Sequence, residues 1–280
     1  MERFPALLLV LSFCIVCGLS QRAVGQTESS ADVIPERPRL TIGAAFAGQY
    51  LNDYRGSSET QLQAYPIPFL IYRGKIIKAD RGGVRADFIS NQQMELNFSV
   101  AGALNGKSDN NALREGMPEL ESAIEIGPSL NINLTGEDFS EGWQLRLPVR
   151  SVLTISREGV HGIGYTFNPK FTYSSPGAIA GWRAKFNLGL FFATEHYHDY
   201  YYSVDSQYVT AERPYYQAEE GFSGYFAKTT LYRRYGEVIF GLSLQYDNLT
   251  GVVFEDSPLV ETKNYYSFSF IVAKSFWNKF

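Results

Sequence analysis

The feature that most constrains this chain is a two-residue period held over unusually long stretches. The clearest case is "ESAIEIGPSLNINL". Ile124, Ile126, Leu130, Ile132 and Leu134 occupy the even positions, and Glu121, Glu125, Ser129, Asn131 and Asn133 the odd ones. The same alternation runs through residues 40–50, 94–104, 142–156, 181–192 and 237–247. Period two places alternate side chains on opposite faces of a strand. Several of these runs reach 12 to 16 residues, whereas strands of globular sheets usually stop at about five or six. The non-apolar face is rich in Gly, Ala, Ser and Asn, with isolated charges of both signs. That suits a crowded interior better than bulk water. A β-sandwich with polar outer faces is the alternative. The lengths favour a closed barrel, apolar outside and polar inside, for which about 9–11 residues cross a bilayer.

Twelve candidate strands follow: 39–50, 61–72, 75–80, 83–90, 93–105, 120–134, 142–157, 160–174, 180–198, 221–235, 236–250 and 263–280. The predicted fold is an all-β transmembrane antiparallel barrel with both termini periplasmic. An even count puts the long connections 51–60, 106–119, 199–220 and 251–262 outside and the short ones inside. Aromatic residues make up 15% of the chain, as interfacial girdles would require. Net charge of −4 leaves no nucleic-acid footprint.

The N-terminus "MERFPALLLVLSFCIVCGLSQRAVGQ" has the form of a secretory signal over residues 1–25. Arg3 leads an apolar stretch, and Ala23-Val24-Gly25 offers a cleavage site, with Gly18-Leu19-Ser20 as the second choice. Both cysteines, Cys14 and Cys17, lie inside it, so the mature chain is expected to hold no disulfide. Residues 26–38 are polar with two prolines and read as a flexible periplasmic lead-in; 39–280 form the barrel.

The last strand ends on alternating aromatics. Phe268, Phe270, Val272, Phe276 and Phe280 share one face and are expected to act as the signal read by the barrel-assembly machinery. Lys274 and Asn278 fall on that same face.

Inward positions carry charge. Glu95, Glu121 and Glu125 lie on the fifth and sixth strands, and Arg146, Arg150, Lys170, Arg183 and Lys185 on the seventh to ninth. A turn centred near Asp138 sets Glu125 opposite Arg150 and Ser129 opposite Arg146, with other registers possible only in steps of two. Bridged in this way, the charges are expected to fill the lumen and narrow it. Separate hydration in an open pore is the alternative.

Three histidines are candidates for chemistry. His161 lies near the rim with no serine within three residues. His196 and His198 share a face if the strand continues through them, but no third ligand accompanies them. No catalytic residue, cofactor or metal is assigned. The stretch Thr194–Glu220 holds seven tyrosines (Tyr197, Tyr200, Tyr201, Tyr202, Tyr208, Tyr215 and Tyr216), six acidic residues and one basic residue, Arg213. It reads as an aromatic belt passing into a solvated external loop cleavable near Arg213, or else as a lid or recognition surface.

Five segments carry a resemblance: "YRGSS" (54–58), "YPIPFLIYRGK" (65–75), "PELESAIEIGPSL" (118–130), "VHGIGYTFNPKFTY" (160–173) and "EDSPLVETKNYYSF" (255–268). Together they resemble the MipA/OmpV family of outer-membrane proteins, named for a scaffold that binds the murein hydrolase MltA. The "SFWNKF" ending departs from the family's Tyr-x-Phe. The resemblance implies a non-catalytic barrel in the outer membrane of a Gram-negative cell, in contact with lipid and lipopolysaccharide. It implies a scaffold role for a murein hydrolase and a peptidoglycan synthase. A narrow porin for small solutes is the alternative, and a lipid-modifying barrel enzyme a third class.

Overall fold

The computed structural model describes residues 40–73, 77–80, 83–103, 111–156, 159–179 and 181–279. The segments expected to be a signal (1–25) and a lead-in (26–38), and Phe280 of the expected assembly signal, lie outside the described residues.

Thirteen antiparallel segments make up one sheet: β1 (Leu40–Asn52), β2 (Thr60–Arg73), β3 (Ile77–Asp80), β4 (Gly83–Ser90), β5 (Met94–Ala103), β6 (Ala123–Asn133), β7 (Gly142–Ile155), β8 (Val160–Phe167), β9 (Lys170–Ile179), β10 (Trp182–Ala193), β11 (Gly221–Tyr235), β12 (Val238–Asn248) and β13 (Asn264–Lys279). β8 and β9 are two halves of one strand. β7 pairs with β8 through Val149↔Phe167 and then with β9 through Arg146↔Lys170, and β10 pairs with both halves. The interruption falls at Asn168-Pro169, because proline supplies no N–H to the ladder. The sheet therefore has twelve strand positions. β1 pairs with β2 on one side and with β13 on the other, so the sheet closes on itself as a barrel. Closure removes the edges that would otherwise leave backbone groups unpaired in hydrocarbon. Leu40 pairs with Lys279, which sets the start of β1 and the end of β13 at the end that carries the short turns.

The faces are inverted relative to a water-soluble sheet. Thr41, Gln63, Asn97, Asn131, Gln144, Thr166 and Thr172 are buried on the inner wall, while Phe46, Leu62, Phe98, Phe171, Leu188, Leu244 and Phe268 are exposed on the outer one. Leaving a large apolar side chain in water forgoes about 1.5–3 kcal/mol. Ten such residues would exceed the ~5–15 kcal/mol net stability of an ordinary domain. The solvent of the outer face is therefore lipid. Aromatic pairs mark its two borders: Trp143–Tyr173 and Tyr235–Phe240 toward the turns, and Tyr246–Tyr266 toward the loops. Inside, polar groups satisfy one another: Gln49 donates to Gln63 (3.0 Å), Gln63 to Gln61 (2.8 Å) and Thr172 to Asn187 (2.9 Å).

Four strand-level expectations are corrected. First, β10 stops at Ala193, and residues Glu195–Tyr202 form a helix, α1. The tyrosines that suggested continued alternation also fit helical spacing, because 197, 198, 201 and 202 make one helical face. Second, β6 and β7 pair two residues away from the expected register. Glu125 lies opposite Val152, Ser129 opposite Pro148 and Asn131 opposite Arg146. Asn133 bonds the N–H and carbonyl of Gly136, and the Thr135 hydroxyl accepts from the Trp143 N–H. These contacts recentre the turn. Third, a bulge between Ile42 and Gly43 in the β1–β13 ladder rephases the end of β13. Asn278 then leaves the apolar face and accepts from the buried Thr41 hydroxyl at 2.9 Å, and Trp277 takes the outward position. Fourth, Glu121 precedes β6; its N–H donates to the Tyr200 hydroxyl (2.7 Å), among the loops rather than on the lumen wall.

Candidate functional site: the loop cap and the lumen beneath it

The largest apolar core of this barrel is in its loops. Tyr54, Leu120, Tyr201, Tyr202, Val204, Leu249, Phe254 and Leu259 are buried together, with Val152, Ile163 and Tyr265 from the strand ends. Residues 53–59, 111–122, 194–220 and 249–263 thus interlock as a cap over one mouth.

The first loop is built residue by residue. Tyr54 enters the core and its hydroxyl donates to the Leu259 carbonyl at 2.7 Å. Gly56 takes φ of +100°, and its carbonyl accepts from the N–H groups of Glu261 and Thr262. The Ser57 hydroxyl, fully buried, accepts from Asn111, whose amide also reaches Asp53. Ser58 donates twice to Glu261. Between them Arg55 is enclosed. Its guanidinium lies 3.3 Å from the Asp247 carboxylate, donates to the Tyr265 hydroxyl at 2.8 Å, and sits 4.7 Å from the centre of the Phe191 ring. The Tyr202 hydroxyl donates to the Arg55 carbonyl, and the Tyr202 ring stacks on Phe254 with centroids 3.7 Å apart. Burial pushes the phenols of Tyr54 and Tyr202 up, so both stay protonated donors.

The aromatic loop is neither a membrane belt nor a solvated excursion. Tyr201 and Tyr202 are in the cap core; Tyr197, Tyr200, Tyr208 and Tyr216 pack against it; Tyr215 alone of the seven is exposed. α1 docks against Gly164, whose φ is +121° and where a Cβ would stand 2.5 Å from the Thr194 hydroxyl and 2.9 Å from the Tyr197 nitrogen. Arg213, expected to be an exposed cleavage point, is buried. It donates to the carbonyls of Tyr208, Leu113 and Glu115 and so fastens this loop to the one before β6.

α1 separates the histidines. His196 lines a concavity of about 510 Å³ on the cap, together with Arg114, Asp199, Tyr200 and Tyr216. His198 is fully buried. Its Nδ1–H donates to the Glu219 carbonyl (2.5 Å), which leaves Nε2 to accept from the Ser223 hydroxyl (2.6 Å). This serine–histidine pair spans 25 residues, a separation that no local sequence pattern signals. Both members are buried. Among the described residues no cluster of three or more potential ligands could hold a metal. Burial holds the His198 imidazole below its ordinary range, against the pull of the Glu219 carbonyl. The unfolded ring, with a pKa of about 6.5, then binds the proton better than the folded one. The cap's stability from this group is complete above about pH 6.5 and is lost as pH falls toward the depressed folded value. Amide protection factors across Glu195–Tyr202 are expected to drop on mild acidification, and His198→Gln to remove that dependence. Protection that is flat with pH in the wild type would refute this.

Beneath the cap lies a cavity of about 830 Å³ lined by strand residues and by Phe139 of a turn. Arg146, Arg150, Lys170, Arg183, Lys185 and Glu95 all line it. Glu125 and Arg150 are brought together despite the shifted register: Arg150 Nε lies 3.7 Å from the Glu125 carboxylate along the diagonal. The lining charges stand on the wall of the cavity. The Glu95 carboxylate accepts from the amides of Asn97 (2.7 Å) and Asn131 (2.9 Å).

A closed twelve-position antiparallel barrel with an apolar outer belt, aromatic borders and a polar lumen is a transmembrane β-barrel of the outer-membrane class. Within that class, residues 42–276 match the family model described as MltA-interacting protein MipA, and the chain belongs to this family. No curated protein matches. Among solved structures, the chain is similar to one titled as Pseudomonas aeruginosa OccK2 (OpdF), at 12% identity and a TM-score of 0.22, over 75% of this chain and 64% of that one. This chain therefore spans under two thirds of that structure.

Proposed function

We propose that this protein is a non-conducting outer-membrane barrel that serves as a scaffold for peptidoglycan-remodelling complexes. The observation that carries the reading is the cap: four loops share a buried aromatic core across one mouth, an arrangement suited to keeping a barrel shut. Long loops face the exterior and short turns the periplasm in barrels of this class. The cap is then external, and the termini and turns face the compartment where a murein hydrolase works. The family's name supplies the partner. A narrow channel for small solutes is the second reading, favoured by the cavity below the cap.

Two measurements test this. Mature protein, with and without residues 26–38, is used as bait in solubilised envelope. Retention of a murein hydrolase, weaker without the lead-in, is expected; no retention by either form removes the scaffold role. In planar bilayers the wild type is expected to show little steady conductance. A large, stable conductance would favour the channel.

A further inference from the structure

We propose that the concavity on the cap is a binding site for a short neutral saccharide. The inference stands apart from the scaffold reading, since this site lies among the loops and the proposed scaffold face is at the turn end.

Three observations lead to it. The first is the apolar part of the lining. Tyr200, Tyr208, Tyr215 and Tyr216 border the concavity, together with Met117 and Ile163. A phenol ring offers flat apolar area with a polar tip and few rotatable bonds. A pyranose ring has the matching division, with apolar C–H faces and a polar edge.

The second is the mixture of hydrogen-bonding groups. The carboxylates of Glu119, Asp199 and Asp205 share the space with the Arg114 guanidinium and the Gln217 amide. Glu119, Asp205 and Gln217 are exposed, so a ligand can reach them. The Tyr200 hydroxyl accepts from the Glu121 N–H (2.7 Å), which leaves its own proton to donate. Arg114 is 5% exposed. Its Nη1 donates to the Tyr201 carbonyl (3.1 Å) and its Nη2 to the Pro118 carbonyl (3.2 Å), while its Nε–H has no hydrogen-bond acceptor. A buried donor without an acceptor is costly, and a ligand oxygen on this wall would supply one. An ammonium ligand needs acceptors only, and a phosphate or carboxylate ligand needs donors only. A hydroxyl is both donor and acceptor, so a wall that offers both suits a polyol. The carboxylates disfavour acidic sugars, and the fixed charge of Arg114 weighs against a cation.

The third is rigidity. Arg213 ties the two walls together, donating to the Tyr208 carbonyl on one and to the Leu113 and Glu115 carbonyls on the other. Val204 and Tyr216 exchange backbone hydrogen bonds (2.8 and 3.2 Å), which holds Tyr215 and Gln217 beside Ser203 and Asp205. Binding then needs little loop ordering. The volume of about 510 Å³ lies in the usual range of small-molecule clefts, with room for about two or three sugar units.

The test uses full-length mature protein in a polyoxyethylene detergent, because glycoside detergents carry a sugar headgroup that would compete. Labelled protein is applied to an array of neutral, amino and acidic oligosaccharides, with spermidine as a competitor. Retention is expected on neutral members, undiminished by spermidine and insensitive to salt, since salt weakens ionic contacts. Calorimetry then gives the affinity for the best neutral member. Tyr215→Ala combined with Asp205→Ala is expected to weaken it about tenfold or more. Both side chains are at the rim, exposed. Tyr215→Phe, which keeps the ring, should retain most of the affinity. Heat-modifiable mobility reports a folded barrel, and protease resistance of the loop 203–220 reports an intact cap. Absence of retention on every neutral member overturns the proposal. So does stronger retention on acidic or amino sugars, displacement by spermidine, or affinity that the folded double variant leaves unchanged.

Discussion

Arg55→Met is expected to loosen the loop cap more than any other single substitution in it. The guanidinium is the only group the structure gives Asp247 as an ion-pair partner among the described residues, and Asp247 is 2% exposed. Removing one member of a buried pair costs up to about 3–5 kcal/mol, here less the support Asp247 keeps from the Gln245 amide at 2.7 Å and the nearby Lys228. The loss spreads, since Arg55 also holds Tyr265 by a hydrogen bond and Phe191 by its face. Proteinase K added to whole cells should cut the loop 203–220 in the variant while sparing the wild type, and bilayer conductance should rise. A second substitution, Asp247→Asn, should add much less than its own effect on the wild type, as members of one pair do in a double-mutant cycle. Unchanged protease resistance in Arg55→Met would show that the packing of Tyr202, Phe254 and their neighbours suffices without the ion pair. Trypsin is the wrong probe, because Arg213 is buried and followed by Pro214.

Leu244→Arg should sharply reduce the amount of folded barrel, whereas Ser243→Arg, one residue away, should be tolerated. Leu244 is mid-strand on β12, 53% exposed on the outer face, and flanked by Thr229 on β11 and Phe268 on β13. An arginine facing lipid near the midplane costs about 2–4 kcal/mol. Ser243 faces the cavity, where a long cation finds water. Its loss removes one hydrogen bond to Thr230 at 3.0 Å, worth at most about 1.5 kcal/mol. Folding into lipid vesicles, followed by heat-modifiable mobility and urea titration, measures both. If the two variants fold equally well, the outer face is not in lipid.

The motifs that suggested a family have a physical account in the cap. "YRGSS" and "EDSPLVETK" lie some 200 residues apart in sequence, yet Tyr54 bonds Leu259, Ser58 bonds Glu261, and Gly56 accepts from Glu261 and Thr262. "PELES" supplies Leu120 to the same core, and "VHGIG" supplies Ile163 and the glycine on which α1 rests. The residues that carry the resemblance are largely those that close the barrel's loop end.

The amino-acid sequence alone determined what repeats along the chain. Alternation is a local property with a fixed period, so the strands, their inner and outer faces, the even number of positions and the inward placing of Glu125 and Arg150 could all be read from it. Three things could not. The β6–β7 register depended on Asn133 and Thr135 closing a turn, and both registers keep apolar residues outward. The fate of Asn278 depended on a bulge, one extra residue that alternation does not announce. The cap depended most on tertiary structure. Its tyrosines are compatible with strand, helix or loop, and whether they meet lipid, water or each other is set by contacts between segments distant in sequence. Arg55 and His198 look like ordinary surface residues until the strands bring Asp247 and Ser223 beside them. Periodicity is encoded by near neighbours, whereas enclosure requires the barrel to close first.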